Sequence, residues 1–407
     1  MKLLILTQYF PPEVGAPQNR LFELAVRLQH LGVKITILTA MPNYPQMKIH
    51  EGYINKKYLY EEIEGLKVHR ASIYVSQSKS IINRLRNYFS FVVSSARIGK
   101  SKLDNFDFLL CESPPLFLGY SAMRLAKQKK AKLIFNVSDL WPESAEKLGV
   151  VNNKFLLKLA YNLEAKLYKR AVLVTGQTQG ICANITSRFP AVKTYWLPNG
   201  VDLTYYNPST VEAGNWRQKN NFSTNDFILV YAGIIGIAQG LEVILKSAQN
   251  FIAISTIKFV FIGSGPEKDK LLTWKATKNL TNVFFLDAVS KKEMPIILKN
   301  SNAAIIPLRK LDLFTGAIPS KIFENLAMEV PILLGVNGEA RQLFIDKANA
   351  GLYFEPENSE DLTQCILKLI EDNDTALQLG KNGRHFVNEF FNRENIAQNL
   401  FKELSSI

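Results

Sequence analysis

The sequence predicts an α/β protein made of two consecutive, doubly wound parallel-sheet domains. Three observations point there. Apolar, β-branched runs alternate with stretches of helical periodicity; the alternation stops near residue 200 and begins again; and 407 residues exceed what one ordinary core organises.

In the first half, Leu3–Thr7 reads as a buried strand and Tyr9–Pro17 as a loop rich in Pro and Gly. Leu21, Leu24, Ala25 and Leu28 recur at helical spacing, Gly32 stops that helix, and Val33–Thr39 is the next strand. Further strands are expected at Phe108–Cys111 ahead of Pro114-Pro115, at Leu133–Val137 ahead of Asp139, and at Ala171–Thr175, with a helix over Gln177–Arg188. Leu197-Pro198-Asn199-Gly200-Val201-Asp202 has the turn chemistry of a connection between domains. The second half repeats the pattern. Strands are expected at Phe227–Ala232, Lys258–Ile262, Val283–Leu286, Ala303–Pro307 and Pro331–Gly335, with helices over Gly240–Gln249, Lys268–Lys275, Lys291–Lys299 and Pro319–Met328. The expected domains are 1–198 and 199–388, with 389–407 a terminal helix crossing back to the first domain. A topological switch point in each sheet places a ligand outside the carboxyl ends of the strands.

Composition narrows the class. An apolar fraction of 47% with 21% charged residues is that of a folded globular chain. Cys111, Cys182 and Cys365 lie far apart in apolar stretches, which fits reduced packing residues in a cytoplasmic protein. Met1–Leu6 is too short for a signal-peptide core, and no apolar run reaches the roughly 18 residues of a membrane span. The net charge of +13 is unevenly spread: residues 1–200 hold 28 Lys+Arg against 13 Asp+Glu, or +15, which leaves 21 against 23, or −2, for the rest. The first domain therefore suits a polyanionic partner, with a merely solvated basic surface as the competing reading. His30, His50, His69 and His385 are scattered without acids at ligand spacing, and no Asp-x-Asp tripeptide occurs, so no metal is expected.

The segment Lys310–Gly335 carries the strongest chemistry. A glycine-containing loop, Asp312–Ile318, leads to Pro319 and Ser320 at a helix start, where backbone N–H groups and the Lys321 ammonium favour an anion. Glu324 shares a face with Lys321 at i, i+3, and its carboxylate suits two hydroxyls such as a ribose offers. An ordinary Lys–Glu pair on a helix surface is the plain alternative. Asp139, just past a strand, is placed to orient or deprotonate a hydroxyl, or to cap the next helix. Between Lys79 and Lys132, the apolar Ile81, Ile82, Leu85, Tyr88, Phe89, Phe91, Val92 and Val93 are punctuated by Lys79, Arg84, Arg86, Arg97, Lys100 and Lys102, with Lys127, Lys129, Lys130 and Lys132 beyond. That is either a basic amphipathic helix for an anionic membrane interface or a core helix with a solvated basic side.

The chain resembles the family-4 retaining glycosyltransferases with the GT-B fold, in which two Rossmann-like domains face each other across a cleft. The likeness covers nearly its whole length. It rests on Tyr9-Phe10-Pro11-Pro12-Glu13-Val14-Gly15-Ala16, Ser138-Asp139-Leu140-Trp141-Pro142-Glu143, Leu197–Asp202, Tyr231-Ala232-Gly233 with Ala238-Gln239-Gly240-Leu241, Gly263-Ser264-Gly265-Pro266-Glu267, and Pro319-Ser320-Lys321 through Glu324. Bacterial amino-sugar transferases of capsule and O-antigen synthesis, the L-fucosamine transferase-like group, are the nearest look-alikes. The resemblance implies a hexosyltransferase-type enzyme without cofactor or metal. It would move an N-acetylated amino sugar from a UDP-sugar to a polyprenyl-linked glycan, peripherally on the inner face of the cell membrane and without nucleic acid.

It further implies roles for residues. Glu324 would hold the ribose; Gly316, Ala317 and Ser320 would cradle the diphosphate; Gly15 would approach from the first domain; Gly233, Gly263 and Gly265 would line the nucleotide pocket; and Asp139 would face the acceptor hydroxyl. Two departures stand out. The first of two carboxylates eight residues apart is Gly316 here, and the Arg and Lys usual after the Gly233 strand are replaced by Ile234 and Ile237. Compensating charge would come from Lys321, Arg309 or Arg20. A UDP-N-acetylhexosamine 2-epimerase and a non-catalytic nucleotide-sugar-binding protein are the other readings of the same architecture. A NAD-dependent oxidoreductase is disfavoured because Gln8–Gly15 lacks Gly-x-Gly-x-x-Gly.

Overall fold

The computed structural model describes residues 1–13, 15–78, 80–147, 149 and 151–407. Val14 and Lys79, named above, lie outside the described residues, as do the side chains of Ala16 and Ile81. Two compact units emerge: Met1–Asn199 with Arg393–Ile407, and Gly200–Asn392.

The first unit is an eight-stranded sheet of β1 (Lys2–Leu6), β2 (Lys34–Ala40), β3 (Tyr58–Ile63), β4 (Leu66–Ala71), β5 (Phe108–Ser113), β6 (Lys132–Val137), β7 (Leu173–Gly176) and β8 (Thr194–Trp196). Their order is β3-β4-β2-β1-β5-β6-β7-β8, parallel throughout except for the β3–β4 hairpin. The switch point lies between β1 and β5. Period-2 alternation sends Leu3 and Ile5 to one face, and Leu4 and Leu6 to the other. The first face packs against the Ala16–His30 and Arg393–Ser406 helices through Leu21, Leu28, Ile396 and Leu400. Ion pairs fasten this terminal helix: Arg27 to Glu394 at 2.7 Å, Arg393 to Glu23, and Lys193 to Glu403 at 2.6 Å.

The second unit holds β9 (Phe227–Ala232), β10 (Ile257–Ile262), β11 (Val283–Leu286), β12 (Ala303–Pro307), β13 (Ile332–Gly335) and β14 (Gly351–Tyr353). All are parallel, in the order β11-β10-β9-β12-β13-β14. Numbered within the unit this is 3-2-1-4-5-6, the doubly wound nucleotide-binding order, with its switch point between β9 and β12.

Each expected strand is present within two residues of its expected bounds. Three helices are shorter than expected, with Gly240–Gln249 reduced to Glu242–Ala248, Lys291–Lys299 to Met294–Lys299 and Pro319–Met328 to Lys321–Ala327, while Lys268–Lys275 extends to Thr277. The hairpin β3–β4 was not expected. Its turn has Glu64 and Gly65 at φ 49° and 75°, the two-residue geometry that matches strand twist.

Candidate functional site

Three loops leave the carboxyl ends of β9, β10 and β12 at the switch point of the second unit. After β9, Gly233 adopts φ 145°, and the loop is knitted to the one after β10: Gly233 N–H donates to Ile262 O at 2.9 Å, and Ile235 N–H to Ser264 O at 2.9 Å. Gly263 and Gly265 make that contact feasible. A Cβ on Gly263 would fall 1.9 Å from Gly233 O, and one on Gly265 2.3 Å from Ile235 O. Their role is close backbone approach.

Lys321 arrives from the next element. Ile322, Phe323, Leu326 and Ala327 are buried in the unit, Phe323 against Phe391 and Phe344, which leaves Lys321 and Glu324 half-buried on the other side of this short helix. The Lys321 Nζ stands 3.9 Å from the centroid of the buried Tyr231 ring and would lie 3.1 Å from a Cβ on Gly233. Loss of hydration lowers the Lys321 pKa to about 7, against the opposing pull of Glu324. Arg384 closes the far end of the helix by donating to Ala327 O.

Arg309 follows β12 and reaches the same loop. Its backbone N–H donates to Ala238 O at 2.9 Å, and its Cγ would touch a Cβ on Gly240 at 3.3 Å. The Arg309 Nε lies buried without a hydrogen-bond partner among the described residues. Next to it, Lys310 pairs with Glu355 at 2.8 Å and its N–H donates to Glu357 at 3.0 Å, which anchors the loop beyond β12 to the end of β14. Two of the three candidate cations thus converge on the Gly233–Gly240 loop, where Ile234 and Ile237 are 61% and 56% exposed.

The helix start differs from expectation. Ser320 has helical φ and ψ and makes no capping hydrogen bond. The N–H groups of Ile322 and Phe323 are engaged by Pro319 O at 3.1 Å and Ser320 O at 3.2 Å. The Ile322 and Phe323 N–H groups are thus already used, and Lys321 is the cation at this start. Gly316 ends a tight turn, Asp312–Gly316, that Gly338 abuts, and a Cβ on Gly316 would meet nothing within 4 Å. Ala317 N–H donates to Phe314 O at 3.0 Å within the same turn.

In the first unit, Arg20 belongs to a different assembly. Its Nη2 donates to Glu112 Oε1 at 2.6 Å and to Ser138 Oγ at 2.8 Å. Ser138 Oγ and Asn136 Nδ2 also donate to the Glu112 carboxylate, and Thr175 donates to Asn136. Arg20, Glu112, Asn136 and Thr175 are all buried. Arg20, expected among the cations that compensate the diphosphate, is thus paired with a buried carboxylate in this structure. Sequence reasoning missed Glu112, for which the signal was an acid closing a strand ahead of Pro114-Pro115. The network spans the β1–β5 switch point and holds the loop on which Asp139 sits. Asp139 accepts from Ser144 Oγ at 2.5 Å, in the first turn of the Glu143–Lys147 helix. Dehydration raises its carboxyl pKa, which Ser144 opposes. Gly15 has φ 177°, ordinary extended backbone, with the Gln18 amide folded over its Cα.

Comparison with known proteins agrees with the two-domain α/β fold. Residues 18–205 match the model of Glycosyltransferase Family 4, and residues 212–386 that of Glycosyl transferases group 1. WcaI of Escherichia coli strain K12, assigned as a colanic acid biosynthesis glycosyl transferase, is 23% identical across 99% of this chain and 100% of its own. Among solved structures, sucrose-phosphate synthase of Thermosynechococcus elongatus superposes with a TM-score of 0.76 at 17% identity, covering 100% of this chain and 99% of that one. Anabaena HepE, solved with UDP and glucose, gives 0.73 at 16%, covering 100% of both. The chain is a GT-B glycosyltransferase. Its two halves carry the two domain types that the models describe.

The glycosyltransferase also has an exposed face that the sequence showed only in part. On the Ile81–Lys102 helix, Phe91 and Val92 are buried, while Ile82, Phe89 and Val93 are 63%, 41% and 49% exposed and share a stripe with Arg86, Arg97 and Lys100. The parallel Gly119–Lys129 helix adds exposed Tyr120, Arg124 and Lys127. Sequence reasoning missed Phe155, Leu156 and Leu159, exposed beside Lys154 and Lys158 in the first turns of Lys154–Arg170. By contrast, Lys129 and Lys132 are tied to chain carbonyls, at Leu103 O (2.6 Å) and Ile407 O (2.7 Å). Among the described residues, no helix is long and apolar enough to cross a membrane, and no group of three His, Cys, Asp or Glu is placed to hold a metal.

Proposed function

We propose that the enzyme transfers an N-acetylated amino sugar from a UDP-sugar to a polyprenyl-linked saccharide during surface-polysaccharide assembly, with retention of configuration. The observation that carries the donor assignment is the convergence of Lys321 and Arg309 on the Gly233–Gly240 loop at a 3-2-1-4-5-6 switch point. Two cations beside a backbone without side-chain obstruction suit a diphosphate. HepE, with UDP, supports the nucleotide, and WcaI, with colanic acid, supports the pathway class.

In this reading Lys321 and Arg309 stabilise charge on the leaving diphosphate as the bond from the anomeric carbon to the phosphate oxygen breaks. Glu324 accepts from the ribose hydroxyls. Asp139, on the loop held by Glu112, orients the acceptor hydroxyl as its oxygen bonds to the anomeric carbon from the face the diphosphate leaves. That hydroxyl proton passes to the departing phosphate oxygen, and no metal takes part. The apolar and basic stripes of the first unit suit docking to an anionic membrane on the cytoplasmic side, where such an acceptor resides.

A thermal-shift screen of UDP-, GDP- and dTDP-sugars tests the donor. UDP-sugars are expected to raise the Tm of the wild type and to lose most of that effect in Glu324→Ala. A UDP-dependent shift untouched by the substitution removes Glu324 from the ribose, and a shift confined to another nucleotide removes UDP.

A further inference from the structure

We propose that Tyr231 is a positioning residue of the donor site, its ring carrying the Lys321 ammonium and its hydroxyl clamping the Gly233–Ile237 loop. The inference rests on the donor reading above and concerns a residue that would not itself touch the substrate.

Tyr231 lies one residue from the end of β9, flanked by β10 and β12, and is 1% exposed. A phenylalanine would fill this place as well, as Phe261 does on the neighbouring strand 6.0 Å away. The hydroxyl is therefore a burden unless it is used, since a buried O–H must find an acceptor. It donates to Ile234 O at 2.6 Å. That carbonyl belongs to the residue after Gly233, and the next N–H, of Ile235, is held by Ser264 O at 2.9 Å. The Ile234–Ile235 peptide is thus pinned from both sides, with its carbonyl turned inward to Tyr231 and the Ile234 side chain out to solvent.

The ring has the second task. At 3.9 Å from the centroid, the Lys321 Nζ is in contact with the π face, where the ring quadrupole attracts a cation. A lysine ammonium on a four-carbon stem is otherwise free to wander and loses rotamer entropy when a ligand fixes it. Here the ammonium is already held over Gly233, where no Cβ obstructs an approaching phosphate. One side chain thus joins the cation to the loop it serves, which matters more in a chain whose loop bears Ile234 and Ile237 in place of cations of its own.

The test compares UDP binding by calorimetry for wild type, Tyr231→Phe, Tyr231→Leu, Lys321→Met and the double variant Tyr231→Leu/Lys321→Met. Tyr231→Leu is expected to weaken UDP about fivefold to tenfold, and to cost less than about twofold once Lys321 is already Met, because a residue acting through another is non-additive with it. Tyr231→Phe keeps the ring and is expected to lose about threefold through the freed loop, with the pH dependence of binding unmoved. In Tyr231→Leu that pH dependence moves to lower pH, because the ring that favoured the ammonium is gone, whereas packing loosened enough to admit water would move it to higher pH. Equal costs of Tyr231→Leu with and without Lys321 overturn the ring's role. Wild-type affinity in Tyr231→Phe overturns the clamp, and decides the matter if the leucine variant fails to fold. Either result leaves the donor reading standing. A wild type that binds no UDP at millimolar concentration removes the donor reading and this inference together.

Discussion

Lys321 sits where three physical effects meet: dehydration, which disfavours its charge; Glu324, which favours it; and a ring face that attracts it. With its pKa near 7, the free protein loses this charge as pH rises through neutrality. A diphosphate selects the protonated form, so UDP affinity is expected to fall between pH 6 and pH 8.5 by about tenfold, since one unit of pKa corresponds to about 1.4 kcal/mol. Lys321→Arg, charged throughout this range, is expected to flatten the profile. A pH-independent wild type, or an arginine variant with the same slope, rules Lys321 out as the titrating group. Lys321 itself was legible in the sequence because the residues around it form a motif. Its ring partner was not, since a strand residue ninety positions earlier is brought beneath it only by the β9–β12 pairing. The pairing of Arg20 with Glu112 was not legible for the same reason, since the two stand 92 positions apart in the chain.

At the scale of elements, the glycines separate into those the backbone requires and those it merely tolerates. Gly263 combines φ 145° with a Cβ position 1.9 Å from a backbone oxygen, so Gly263→Ala must push two knitted loops apart. A loss of about 3 kcal/mol or more in urea unfolding is expected, with UDP binding lost in parallel. Gly316 has open space around its Cβ position, and Gly316→Ala is expected to leave stability within about 1 kcal/mol of wild type. If the two variants behave alike, close approach is not what Gly263 provides. Most strands were legible because parallel strands covered on both faces read as unbroken apolar runs. β4 was not, because Lys67, His69 and Arg70 disguise it. Arg70 is fully buried yet satisfied by Pro11 O, Ala40 O and Glu61, partners that the sequence scatters across sixty residues. The Pro319–Met328 helix begins late because i to i+3 bonds from Ile322 N–H to Pro319 O and Phe323 N–H to Ser320 O form its entry.

Across the whole molecule, the charge belongs almost entirely to one half, and the structure shows which surface displays part of it. Residues 1–200 carry +15, and the stripe of Ile82, Arg86, Phe89, Val93, Arg97 and Lys100 puts apolar and basic groups side by side in solvent. Ile82, Phe89 and the Phe155–Leu159 cluster occur in the N-terminal halves of helices that follow parallel strands. They therefore lie nearer the carboxyl edge of the sheet, the edge that also bears Asp139. A lipid-linked acceptor approaching that edge would meet apolar side chains interleaved with Arg86, Lys154 and Lys158, with Arg97 and Lys100 farther along. Binding to phosphatidylglycerol vesicles is accordingly expected to have two separable parts. Arg97→Gln/Lys100→Gln removes two surface cations worth about 1 kcal/mol each, a loss of roughly thirtyfold in partitioning at low salt that shrinks at 0.5 M salt as screening removes the same attraction from the wild type. Phe89→Ser/Val93→Ser is expected to weaken partitioning at both salt concentrations, because burial of apolar area does not depend on screening. Co-sedimentation measures both. Equal binding to neutral and anionic vesicles contradicts the electrostatic part, and a serine variant that partitions like wild type contradicts the apolar one.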